Sequence, residues 1–339
     1  MALKLLFIGG TGLISREVSK LAVARGMNLT LLNRGRRMPA GIEGARVIPG
    51  DVRDPATLAA LRQETFDVVV DWIAFTPDHI EADIQHFLGR TGQFIFISSA
   101  SVYQKPANRY LITESTPLAN PYWQYSRDKI RCEERLLEAY REHQFPVTIV
   151  RPSHTYGETS IPASLNSHAH PWSLVDRMRR GRPVIVHGDG SSLWVMTHNT
   201  DFARGFLGLV GQPSAIGHAF HITSDEVLSW DQIYRTIGAA AGVAPQLVHI
   251  PSDFIAAADP EAEGGLLGDK SVSVVFDNQK IKRWVPDYCA TVSFAEGMRR
   301  SIAWFEAHPE AQTVDDGWNQ RMDRILRAYE AGLAALKAE

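Results

Sequence analysis

The chain has 339 residues, 45% of them apolar and 22% charged, with a formal net charge of −3 at pH 7. That length can bury a large core in one α/β unit or two joined lobes, and the composition excludes a fibre or a disordered chain. Mild acidity argues against a nucleic-acid partner, Cys132 and Cys289 lack metal-ligand spacing, and neither a signal-peptide pattern nor a membrane-length apolar stretch is seen, so a cytoplasmic protein without a metal is expected.

Leu3-Lys4-Leu5-Leu6-Phe7-Ile8 is an apolar run of strand length that breaks at Gly9-Gly10-Thr11-Gly12, and a helical pattern opens at Leu13-Ile14 and runs to about residue 25. Strand, tight turn and helix make an anion cradle, in which Gly9 and Gly12 let the backbone approach a pyrophosphate at the helix N-terminus. The spacing is Gly-x-x-Gly-x-x-Ser, ending at Ser15, so the turn taken alone also reads as a simple turn maker.

Residues 29–32 predict a second strand that ends at Asn33-Arg34. An acid there would bind the ribose hydroxyls of NAD, whereas Asn33 followed by Arg34, Arg36 and Arg37 suits the 2′-phosphate of NADP, a solvated basic loop being the alternative. Val47-Ile48-Pro49 predicts a third strand, and Asp51, beside Val52, sits at its exit facing adenine or serving as a turn residue. A helix over 55–63, a strand through Val68-Val69-Val70 continuing to Ala74, a helix over 78–88 and a strand at Phe94-Ile95-Phe96-Ile97 follow. This alternation predicts a doubly wound parallel sheet with ligands at the carboxyl ends of its strands.

Beyond the fifth strand come Ser98-Ser99-Ala100-Ser101-Val102-Tyr103, and Tyr125 and Lys129 stand four apart at the head of a long helix, on one face. A neighbouring ammonium is expected to lower a tyrosine from its reference pKa of ~10, so that Tyr125 exchanges a proton with a substrate hydroxyl while hydride moves to or from nicotinamide. Lys129 can also hold the nicotinamide ribose, and a serine at the strand exit can orient the same substrate oxygen.

With these motifs in order, together with Gly50-Asp51, Arg151-Pro152-Ser153-His154-Thr155-Tyr156-Gly157 and Phe276-Asp277-Asn278-Gln279-Lys280, the chain resembles an extended short-chain dehydrogenase/reductase of the NAD-dependent epimerase/dehydratase superfamily nearly end to end. The resemblance implies a catalytic triad of Ser99, Tyr125 and Lys129. It implies a cofactor site of Gly9, Thr11, Gly12, Leu13, Ile14, Asn33, Arg34, Arg37, Asp51, Val52, Ala74, Ser98, Tyr125, Lys129 and Pro152, with NADP preferred and NAD open. Substrate contacts are expected at Ser99, Ser153, His154 and Trp194. Trp194 stands where nucleotide-sugar members carry a diphosphate-binding arginine, and an indole lacks that charged fork. Ala100-Ser101 replace the Asp-Glu pair of the sugar 4,6-dehydratases, which argues against that dehydration.

Residues 1–150 are thus expected to form an NAD(P)-binding Rossmann domain with returns near 199–223, and 151–339 mostly a smaller C-terminal substrate-binding lobe. In that lobe, short strands at 184–186, 195–196 and 247–250, helices at 234–241 and 293–305, and loops at 158–172 and 253–271 are predicted. A final amphipathic helix carries Trp318, Met322, Ile325, Leu326, Tyr329 and Leu333. His154, His168, His170 and His198 are read as hydrogen-bonding or surface residues. The expected function is an NADP-dependent oxidoreductase or epimerase acting by hydride transfer at a hydroxyl or carbonyl of a sugar-like or small polar substrate, with a homodimer implied by the resemblance. The alternative is a catalytically silent NAD(P)-binding regulatory or RNA-binding protein of the same fold.

Overall fold

The computed structural model describes residues 2–35, 40–62 and 64–338. Its first half alternates strand and helix: β1 (Lys4–Ile8), α1 (Ser15–Ala24), β2 (Asn28–Asn33), β3 (Arg46–Pro49), α2 (Pro55–Leu61), β4 (Phe66–Asp71), α3 (Pro77–Phe87), β5 (Thr91–Ile97), the short β6 (Leu111–Ile112), α4 (Gln124–His143) and β7 (Val147–Arg151). The strand expected to run to Ala74 stops at Asp71. The Asp71 carboxylate accepts the Ile73 and Ala74 amides at 2.6 and 2.8 Å, which turns the backbone out of the sheet.

The second half comprises β8 (His154–Tyr156), α5 (Ser173–Arg179), β9 (Val184–His187), β10 (Leu193–Trp194), β11 (Met196–His198), α6 (Asn199–Leu209), β12 (Ala219–His221), β13 (Leu228–Ser229), α7 (Trp230–Ala240), β14 (Leu247–Ile250), α8 (Ser252–Ala258), α9 (Glu263–Gly265), β15 (Val275–Phe276), α10 (Gln279–Trp284), α11 (Phe294–Ala307) and α12 (Asp316–Ala338).

Seven parallel strands form the central sheet in the order β12-β7-β5-β4-β1-β2-β3. Leu5, Leu6, Phe7 and Ile8 of β1 and Val68, Val69 and Val70 of β4 are all buried, as a parallel sheet covered on both faces requires. Phe7 and Leu31 share one core with Val18 of α1 and Phe202 and Phe206 of α6. Leu6 and Val69 share the other with Ile84 of α3 and Leu136 of α4. From β1 the order runs outward to β2 on one side and to β4 on the other, so the carboxyl ends of β1 and β4 flank the crevice where ligands bind in such sheets.

A separate core, containing Trp172, Trp194, Trp230, Tyr234, Phe294 and Phe305, gathers the pairs β8–β11, β9–β14 and β10–β13 with α5, α7, α11 and α12. Here the expectations need correction. Val195 separates two strands instead of opening one. Helix α7 starts four residues before 234, because Ser229 and Gln232 make reciprocal bonds of 3.2 and 2.8 Å, a capping box. The stretch 253–271, expected as a loop, holds α8, α9 and a π-helical turn, Leu266–Lys270. On α12 the buried stripe covers Trp318, Met322, Ile325 and Leu326, but Leu333 is exposed. Among the described residues no helix is long and apolar enough to cross a membrane.

Candidate active site

The turn after β1 forms the floor of the crevice. Gly9 and Gly10 have φ of 96° and 93°, and a Cβ on Gly10 would lie 2.8 Å from Leu31 Cδ2. Only bare backbone fits there. Ser15, which stands at the third glycine position, is buried, and its hydroxyl accepts the Gly12 amide at 2.9 Å. Ser19 Oγ donates to Gly10 O and Asn199 Nδ2 to Leu13 O, which fixes the turn against α1 and α6. Among the described residues, the Leu13 and Ile14 amides have no intramolecular acceptor and head the helix. At the end of β2, Asn33 Oδ1 accepts the Gly35 amide at 2.8 Å, while its buried Nδ2 has no partner among the described residues. A glycine floor, unengaged amides and an orphaned amide nitrogen at the β2 end fit a dinucleotide.

Above this floor lies a cleft of about 470 Å³, lined by the turn, by Trp72, Ile73 and Phe75 after β4, by Ser98 and Ser99 after β5, and by Tyr125, Lys129 and Pro152. Next to it a larger cavity of about 980 Å³ reaches into the second half, between Ser99, Tyr125, Ser153, His154 and the 161–171 segment. Tyr125, Ser99, Pro152 and Ser153 line both spaces.

Lys129 is buried, and its ammonium donates to Ala74 O at 2.6 Å and Ile97 O at 2.7 Å, the exits of β4 and β5. Burial pulls it down to about 8, with Asp71 and Glu133 pulling it back up. Its Nζ also lies 4.7 Å from the Phe75 ring centroid. Tyr125 packs between Trp123 and Phe75, with ring centroids 5.0 and 6.4 Å away. The expectation that Lys129 lowers the Tyr125 phenol is not met. Burial raises it, a hydrogen bond from Ser99 pulls it down, and the Asp269 carboxylate raises it further. The ammonium is held on the Ala74 and Ile97 carbonyls, 5.8 Å from the Tyr125 ring centroid. Behind Ser99 runs a chain of hydroxyls: Ser126 Oγ donates to Ser101 Oγ at 2.7 Å, and Ser101 Oγ lies 2.9 Å from Ser99 Oγ. Ser99, at the end of this chain, is the hydroxyl that lowers the Tyr125 phenol.

A model of the NAD dependent epimerase/dehydratase family matches residues 5–223. The chain belongs to this family. One relative is the chloroplast stem-loop binding protein of 41 kDa b from Arabidopsis thaliana, 28% identical over 268 residues, or 74% of this chain and 67% of that protein. Another is 2'-dehydrokanamycin reductase from Streptomyces kanamyceticus, 24% identical over 84% of this chain and 80% of that protein. The structure of UDP-glucose 4-epimerase from Bifidobacterium longum in complex with NAD+ and UDP matches with a TM-score of 0.72 at 17% identity, covering 91% of this chain and 99% of that one, a likeness of fold.

Within this epimerase/dehydratase fold, Ser99, Tyr125, Lys129, Gly9, Thr11, Gly12, Leu13, Ile14 and Pro152 come together at the cleft. Ala74 contributes through its carbonyl, as the acceptor of Lys129. Ser98 lines the cleft, but its hydroxyl is committed to Glu133 at 2.5 Å, inside the buried Arg151–Glu133 ion pair. Asn33, Arg34, Asp51 and Val52 stand at the exits of β2 and β3, outside the cleft lining. Arg34 is exposed, Asp51 accepts the Arg53 amide at 3.0 Å, and Val52 is buried in the core. Arg36 and Arg37 lie outside the described residues.

Ser153 and His154 line the larger cavity, where burial pulls His154 down to about 3 and leaves its Nδ1 unpartnered. Trp194 does not reach the cavity. It is buried against Trp230, centroid to centroid 5.5 Å, so the expected substrate contact is a core residue. Sequence reasoning missed Ser101, Ser126, Asp269 and Lys270. The serines carried a signal in their places beside Ser99 and Tyr125, whereas nothing local marked residues 269 and 270 as facing Tyr125.

Proposed function

We propose that the protein is an NADP-preferring oxidoreductase or epimerase that moves hydride at a hydroxyl or carbonyl carbon of a sugar-like or other small polar substrate. The observation that carries this reading is the junction, where one phenol, Tyr125, borders both the glycine-floored cleft and the larger cavity. Family membership supports it, as do relatives named as epimerases and reductases. Gly9, Thr11, Gly12, Leu13 and Ile14 would hold the pyrophosphate, and Asn33, Arg34, Asp51 and Val52 would serve the adenosine end. The preference for NADP rests on Asn33 and Arg34 standing where an acid would select NAD.

When bound, nicotinamide supplies the hydride donor or acceptor. Tyr125 Oη gives its proton to the substrate oxygen during carbonyl reduction and takes it back during alcohol oxidation, while Ser99 Oγ donates a hydrogen bond to the same oxygen. Lys129 has three N–H donors and uses two on carbonyls, which leaves one for the cofactor ribose. In the same reading residues 1–150 with 199–223 act as the cofactor domain, the rest acts mostly as the substrate lobe, and the chain pairs as a homodimer. The test is NADPH consumption with a panel of keto sugars. Turnover is expected with at least one of them, falling about 10²–10⁴-fold in Tyr125→Phe, with NADPH still bound. Undiminished turnover in that variant rules the mechanism out.

A further inference from the structure

Among the described lining residues of the larger cavity the charged groups are Arg16, Asp269 and Lys270. The last two stand at the end of the π-helical turn, closed by the Ser271 amide on Leu266 O at 2.9 Å, a distortion of a kind frequent at functional sites. The carbonyls of three successive residues there are held by side chains from elsewhere. Asn120 Nδ2 donates to Gly268 O at 2.7 Å, Lys105 Nζ to Asp269 O at 3.2 Å, and the His187 ring to Lys270 O at 2.9 Å. Asn120 also donates to Ser101 O at 2.8 Å, so the turn is tied directly to the segment that carries Ser99.

The charges at this point do not balance. Asp269 is shared by Lys105, which is buried and 4.0 Å from Oδ1, and by Lys270, 3.4 Å from Oδ2. Burial lowers Lys105 and Asp269 raises it again, so Asp269 serves it as a counter-ion. The other hydrogen bond of Lys270 Nζ goes to Gly265 O at 3.3 Å and the Trp123 ring centroid lies 6.0 Å away, so both bonds are at the long limit and, among the described residues, the third N–H has no hydrogen-bond acceptor. His154 and His168 both line the cavity and both feel the Lys270 charge, and the buried His154 Nδ1 has no partner among the described residues.

We propose that Lys270 binds an anionic group of the substrate, a carboxylate or a phosphate, with His154 as a neutral second contact. This rests on the functional reading above and narrows its substrate class to acidic sugars or acidic polyols. The anion belongs to the part of the substrate that enters this cavity, because Tyr125, Asp269 and Lys270 all line it. A cationic amino sugar meets repulsion at the same place.

The test is calorimetric titration of the full chain, with and without NADP, using D-galacturonate, glucose 6-phosphate, D-glucose and D-glucosamine at one ionic strength. At least one acid is expected to bind tenfold or more tightly than glucose, and which acid does so tells carboxylate from phosphate. Lys270→Met is expected to abolish that preference, and Lys270→Arg to retain it. Equal binding of acids and glucose, no binding of either acid, or a preference that survives Lys270→Met overturns the proposal. A Lys270-dependent acid preference in a protein that binds no nicotinamide nucleotide upholds the anion site and contradicts the functional reading instead.

Discussion

Tyr125 is subject to opposing influences. Burial between Trp123 and Phe75 holds its proton on, and the hydroxyl chain from Ser126 through Ser101 to Ser99 eases it off. Hydrogen-bond chains polarise along their length, so cutting one link is felt at the end. Ser101→Ala is therefore expected to shift the alkaline-going limb of alcohol oxidation upward by about one pH unit, with little change in KM, read from a pH–rate profile. An unmoved profile means that the chain is structural only. Lys129 gives a second readout. With its proton lost near pH 8, cofactor affinity is expected to hold below about 8 and to weaken above it, and Lys129→Met to be weak and flat across that range. The placing of Tyr125 beside Lys129 could be read in the sequence because two residues four apart on a helix share a face. The direction of the tyrosine shift could not, since it depends on rings brought in from the loop after β4 and from the residue before α4.

The loop after β4 shows how an element, not a residue, sets the site. Asp71 holds its amides, Arg53 donates to Ile73 O at 3.3 Å, His79 accepts the Phe75 amide at 3.1 Å, and Lys129 binds Ala74 O. Beneath it, Asp83 on α3 faces Asp71, and burial together with the Asp71 carboxylate raises Asp83 well above the usual carboxylate range. Its folded value lies above the unfolded one, so the folded chain binds the extra proton and stability falls as pH rises between the two. Asp83→Asn, which mimics the protonated acid, is expected to remove that fall, with Tm exceeding that of the native protein increasingly toward alkaline pH. An equal pH slope in both proteins contradicts the raised Asp83 carboxyl. Strands and helices of the first half could be placed by their periodicity, but the break at Asp71 and the π-helical turn depend on contacts distant in sequence.

At the scale of the molecule, the sheet order opens a crevice beside β1 and β4, and the second core sets a cavity against it, so that the exits of β1, β5 and β7 and the head of α4 converge on one space. The parallel sheet was readable from alternating apolar runs. The inner wall of the cavity was not, because Trp194 faces the core beside Trp230 while the 269–270 pair is carried in by a turn far along the chain. The central claim is that a nicotinamide dinucleotide occupies the glycine-floored cleft, and fluorescence titration with NADPH and NADH on the native protein and on Arg34→Ala tests it most directly. Both are expected to bind, NADPH about tenfold or ~1.4 kcal/mol more tightly, with the gap closed in Arg34→Ala. If neither nucleotide binds, the cleft is not a cofactor site, and Ser99, Tyr125 and Lys129 have no hydride chemistry to serve.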